Sequence, residues 1–158
     1  MEKQLKDILQ LLPQAKVLSG TTDKTITGLT IDSRTVEKGN LFICLKGVHT
    51  DGHKYIDKAI ALGAATVLVE DHVEPKAGLI IIQVPDANAA MTAIAPWFYD
   101  FPGKKMRVIG VTGTNGKTTT TNIVRIILRQ AGFRVGLIGT INTIIEDEVE
   151  TSHNTTPN

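Results

Sequence analysis

The chain has 158 residues, 42 % of them hydrophobic, with 17 Lys and Arg against 16 Asp and Glu. A net charge of +1 gives no general attraction to nucleic acid or to an anionic membrane, and the apolar content is that of a chain with a core rather than a disordered one. No apolar run nears the roughly 20 residues of a membrane span, and the charged start lacks the apolar stretch of a signal peptide, so a soluble cytoplasmic protein is expected.

Along the chain, Leu5, Ile8, Leu9 and Leu12 fall at i, i+3, i+4 and i+7, which predicts an amphipathic helix ending at or before Pro13. Residues 25–32 and 40–46 have strand character, and the polar stretch 33–39 between them is a candidate binding loop. Cys44, the only cysteine, sits in the second of these strands, so no internal disulfide forms and a buried, reduced thiol is expected. Asp51 is placed to cap a helix to about Leu62, with Tyr55, Ile56, Ala59 and Ile60 inward, followed by a strand over 66–70. Glu70 and Asp71 then read as a solvated strand end. Another strand is expected over 79–84, and Asp86 caps a helix in which Pro96 kinks or ends the last turn. Strand, helix and strand in succession predict an α/β layer.

Phe101, Pro102 and Gly103 punctuate the chain, dividing it into units 1–102 and 103–158. The second unit is expected to run strand (106–112), loop, helix (118–130, with Ile123, Ile126 and Ile127 on one side), strand (134–140), then a hairpin arm over 141–149 turning at Glu146, Asp147 and Glu148. The loop is Gly113, Thr114, Asn115, Gly116, Lys117, Thr118. Glycines there let backbone amides approach an anion, and the following helix adds the partial positive charge of its N-terminus. Lys117 suits the β and γ phosphates of a nucleotide, and the Thr118 hydroxyl suits its magnesium ion. Val111 stands where the strict phosphate-loop pattern has its first glycine, so the motif is a variant. The plainer alternative is a glycine turn with a solvated lysine. His49 and His53 are four residues apart, but Gly52 intervenes and no glutamate follows His49, so a zinc-binding helix is not expected.

Several segments in this order resemble the Mur ligase family: Asp32, Ser33 and Arg34 with Val36, Gly39, Leu41, Phe42 and Gly47; then Asp51, Gly52 and His53; then 111–120; and finally Asn154, Thr155, Thr156 and Pro157. The loop wording and the final motif resemble the branch that adds the third residue of the peptidoglycan stem peptide more than the branch that acts next.

That resemblance implies a small N-terminal α/β domain holding the UDP-sugar, followed by the first β-(P-loop)-α-β unit of a P-loop ATPase domain. It implies ATP held by Gly113, Thr114, Asn115, Gly116, Lys117, Thr118 and Thr119, with Mg2+ at Thr118. It also implies UDP-MurNAc-dipeptide contacts from Ile31, Ser33, Val48, His49, Thr50, Asn154, Thr155 and Thr156. The implied reaction activates a carboxylate as an acyl phosphate and joins it to a diamino acid, L-lysine or meso-diaminopimelate, in a monomeric enzyme. No acidic strand end follows Lys117 to complete a magnesium site, so these residues are not expected to catalyse ligation alone. A non-catalytic module for a uridine nucleotide or ATP, or a next-step ligase, is the alternative. Outside the resemblance, Ser33 and Arg34 read as a turn, with Arg34 pairing to Asp32 or a nearby carboxylate.

Overall fold

The computed structural model describes residues 1–47, 50–146 and 148–151. Its first unit, Met1–Arg107, runs β1 (Lys3–Gln4), α1 (Leu5–Gln10), β2 (Lys16–Ser19), β3 (Thr25–Ile26), β4 (Leu29–Thr30), β5 (Leu41–Ile43), α2 (Ile56–Ala61), β6 (Thr66–Val69), β7 (Ile80–Gln83) and α3 (Ala87–Phe98). Five strands form one sheet in the order β2-β7-β6-β5-β4, in which β4 to β7 are parallel and β2 is an antiparallel edge.

Side chains alternate across a strand with period two, and here each alternate set has its own helical cover. Leu41, Ile43, Leu68, Ile80 and Ile82 face the layer built by α1 and α3, where Leu5, Ile8, Ile94 and Phe98 are buried. Phe42, Cys44, Val67, Val69 and Ile81 face α2, meeting Ile56 and Ala59. The continuous apolar runs of β5 to β7 therefore reflect burial on both faces, as a parallel sheet requires. Removing each large aliphatic side chain from water stabilises the fold by about 1.5–3 kcal/mol.

The expected helices are present with adjusted ends. Leu11 caps α1, and Asp86 caps α3 by accepting from the Ala89 amide at 2.9 Å. Pro96 lies inside α3, which continues to Phe98. Its missing donor falls in the last turn, where little ladder remains to break. Asp51 caps as expected, but the first turn after it is a 3-10 turn, Gly52–Tyr55. That tighter winding leaves Tyr55 41 % exposed instead of inward. The stretch 25–32 is two short strands rather than one, paired with different partners: β3 with β1, and β4 with β5. The edge strand β2 holds only two apolar residues, Val17 and Leu18, too few for apolar periodicity to reveal.

The second unit, Val108–Asn158, holds α4 (Lys117–Gln130), β8 (Gly136–Ile138), β9 (Asn142–Ile145) and β10 (Glu148–Thr151). Its three strands form an antiparallel sheet in the order β10-β9-β8. The hairpin turns through Glu146, whose φ of 55° is left-handed; Asp147 lies outside the described residues. The strand expected over 106–112 is absent. Those residues find no ladder partner among the described residues, and Val108 is 78 % exposed. Of the apolar side chains here, Leu137 and Ile144 are buried, whereas Ile123, Ile126 and Ile127 on α4 are exposed.

Candidate functional site

The loop before α4 is bent at two glycines and leads to an uncapped helix start. Gly113 (φ 145°) and Gly116 (φ 77°) occupy backbone conformations that side chains disfavour, and a Cβ on Gly116 would meet no atom within 4 Å. Gly116 is the N-cap of α4, and no side chain caps the helix. The amides of its first turn, from Lys117 through Thr119, are thus left to solvent or to a ligand, with no acidic residue in that turn to oppose an anion. The Lys117 ammonium curls over the loop, donating to the Gly113 carbonyl at 2.5 Å and the Thr114 carbonyl at 3.3 Å. Thr114, Asn115, Thr118 and Thr119 are exposed beside it. The structure therefore brings together all seven residues expected at the phosphates, and their donor set fits a nucleotide phosphate chain.

In the first unit, Ile31 and Ser33 directly follow β4, while Thr50 lies beyond β5. These two strands are parallel neighbours, so the three residues belong to loops leaving the same carboxyl edge of the sheet, where open parallel sheets bind ligands. Val48, His49, Asn154, Thr155 and Thr156 lie outside the described residues. Ser33 is buried, with 7 % exposure.

Arg34 grips the Asp32 carboxylate through Nε (2.9 and 3.0 Å) and Nη2 (2.7 Å), and the Arg34 amide donates to Asp32 at 2.8 Å. The guanidinium is spent on the turn. The Arg34 side chain and then its amide hold the Asp32 carboxyl down at about 2, below the ordinary 3.8. A depressed carboxyl contributes stability that is present above its ordinary value and is lost as pH falls through its folded value. Carbon NMR of Asp32 should therefore titrate near pH 2, and Arg34→Ala should return it toward 3.8. An unchanged midpoint in the variant would remove the pair as the cause. The pair is exposed, so solvent screens it and its effect on global stability is small.

Sequence reading missed a network on this same edge. Glu70 is not solvated: its Oε1 accepts from the Ala87 amide at the start of α3 at 2.8 Å, and its Oε2 lies 3.5 Å from Lys46. Asp71, which is exposed, pairs with Lys46 at 2.7 Å. No spacing rule links positions 46, 53 and 70; only the adjacency of β5 and β6 does. Asp51, His53 and Asp71 offer oxygen and nitrogen atoms within 4.8 Å of one another, but both imidazole nitrogens are hydrogen-bonded and Asp71 has Lys46. Cys44 is buried, and burial, aided by the charge of Asp51, pushes its thiol up to about 12. It is no nucleophile at neutral pH.

Family models and known relatives match most of the chain. A model described as "Mur ligase family, catalytic domain" matches residues 25–99, and one described as "Mur ligase middle domain" matches 111–158. A UDP-N-acetylmuramoyl-L-alanyl-D-glutamate--2,6-diaminopimelate ligase of Cytophaga hutchinsonii is 44 % identical over 98 % of this chain, which spans 32 % of that relative's length. A solved structure of a ligase of the same name resembles the chain in fold, with TM-score 0.70 at 24 % identity over 99 % of this chain and 31 % of the other. The MurF ligase from Thermotoga maritima in complex with ADP has TM-score 0.52 at 28 % identity, over 65 % of this chain and 23 % of that one.

Proposed function

The chain belongs to the Mur ligase family, and from that premise we propose that it carries the UDP-sugar-binding unit and the ATP phosphate loop of an ATP-dependent ligase of peptidoglycan synthesis. The whole ligase would join a diamino acid to UDP-MurNAc-L-Ala-D-Glu by an amide bond, acting as a cytoplasmic monomer. The name of the relative from Cytophaga hutchinsonii favours 2,6-diaminopimelate over lysine. The observation that carries the reading is the glycine-bent loop that opens onto the uncapped N-terminus of α4 with Lys117 folded across it.

In this reading Gly113, Thr114, Asn115, Gly116, Lys117, Thr118 and Thr119 hold the ATP phosphates. The amides of the first turn of α4 donate to the phosphate oxygens, and Lys117 leaves two carbonyls for the outer phosphates. Thr118 would hold Mg2+, which when bound neutralises phosphate charge during transfer. Ile31, Ser33 and Thr50, with Val48 and His49, contact the UDP-sugar. Hydroxyls and free backbone groups match uracil and sugar hydrogen bonds without added charge.

Separate calorimetric titrations of the 158-residue chain with ATP and with UDP-MurNAc-L-Ala-D-Glu test this, each expected to show one site. Amide formation by the chain with both ligands and a diamino acid is expected to be undetectable. Absence of heat with both nucleotides would sink the reading.

A further inference from the structure

We propose that His53 is a positioning residue: its ring ties the turn that follows β5 to the carboxyl end of β6, and so sets the edge on which Thr50 sits. This inference rests on the reading of that edge as the UDP-sugar site.

Two backbone amides, those of Glu70 and Asp71, donate to His53 Nε2 at 3.1 and 3.3 Å. An atom that accepts from amides carries no proton, so the proton of the neutral ring is on Nδ1, which donates to Asp51 Oδ1 at 2.6 Å. The ring side chain is almost buried, at 11 % exposure. Asp51 also accepts from the His53 amide at 2.9 Å, and that bond, followed by the ring bond, holds its carboxyl below the ordinary range. On its other side Asp51 forms an isolated bridge with Lys46, inside which the Gly47 amide donates to the Thr50 carbonyl at 2.8 Å. One imidazole therefore connects the closed turn at Gly47 and Thr50 to the strand beside it.

A second feature fixes the same place. A Cβ on Gly52 would lie 2.9 Å from both Cys44 Cα and the Leu45 nitrogen, so glycine lets the backbone beside His53 press directly on the end of β5. Two charged groups lie beside the ring: Asp51, bonded to Nδ1, and Asp71, whose carboxylate is within 4.8 Å of it. The two positions nearest Lys46 are filled by its own pairs to Glu70 and Asp71, which leaves His53 as the link to Asp51.

Protonating the ring at Nε2 removes the acceptor for both amides, and Asn in its place keeps a donor for Asp51 but is too short to reach β6. Amide hydrogen exchange and calorimetry on the 158-residue chain, as wild type, His53→Ala and His53→Asn, test the assignment. Expected are an exchange rate at Gly47 raised about tenfold in both variants, and UDP-MurNAc-L-Ala-D-Glu affinity weakened about tenfold with ATP affinity unchanged. Nitrogen NMR of the wild-type ring should show the Nδ1–H tautomer. A folded His53→Asn chain with wild-type Gly47 exchange and wild-type affinity would overturn the proposal. Raised Gly47 exchange in a chain that binds no uridine nucleotide even as wild type would support the positioning role while overturning the proposed substrate.

Discussion

Replacing Lys117 with alanine is expected to weaken ATP binding by roughly ten- to a hundredfold, the factor that corresponds to about 1.5–3 kcal/mol for hydrogen bonds to a charged group. The cause is local. In the free loop the ammonium rests on the Gly113 and Thr114 carbonyls, which are partial negative charges that phosphate oxygens would replace with full ones. Alanine removes the only cation in the first turn of α4 but leaves the glycine conformations and the uncapped amides, so binding is weakened rather than abolished. Calorimetric titration with ATP checks this, with Lys105→Ala as the control outside the loop. An ATP affinity equal to wild type in a folded Lys117→Ala chain would mean that the nucleotide binds elsewhere, and the loop would revert to an ordinary glycine turn.

How far the sequence reveals this molecule depends on the range of the interactions involved. The loop was legible because its determinants are contiguous: two glycines, a lysine and a helix start lie within six residues, and each acts through its own backbone. Asp51 and Asp86 were legible as caps for the same reason, since a cap bonds to an amide two or three residues on. The succession of strand, helix and strand over 40–70 announced an α/β layer. What escaped was set by partners distant in sequence. The run 106–112 has strand composition but no strand beside it among the described residues, and composition supplies no partner. Glu70 looked solvated because nothing near it in sequence says that the start of α3 and Lys46 converge on it. The edge strand β2 was hidden because an edge need be apolar on neither side. Among the candidate contacts, Ile31, Ser33 and Thr50 could be named only through a family resemblance. Their common place on the carboxyl edge emerges only once β4 and β5 are known to be parallel neighbours.

Truncating Phe42 and truncating Ile126 should have very different consequences, although both remove an apolar side chain from a regular element. Phe42 is fully buried at the centre of β5, packed with Cys44, Ile56, Ala59, Val67 and Ile81 between the sheet and α2. Phe42→Ala leaves a void that a strand paired on both sides cannot collapse, and is expected to cost about 3–5 kcal/mol. Against a typical stability of about 5–15 kcal/mol, that loss approaches unfolding. Ile126 is 51 % exposed on α4, so Ile126→Ala loses little buried area and should change stability by about 0.5 kcal/mol or less. Urea denaturation followed by circular dichroism measures both. Equal losses would show that α4 buries its apolar stripe in solution, against its exposure here. The unequal result would tie the proposed UDP-sugar site to its support: β5 carries Phe42 in its core and presents the turn to Thr50 at its end, so loosening the first loosens the second.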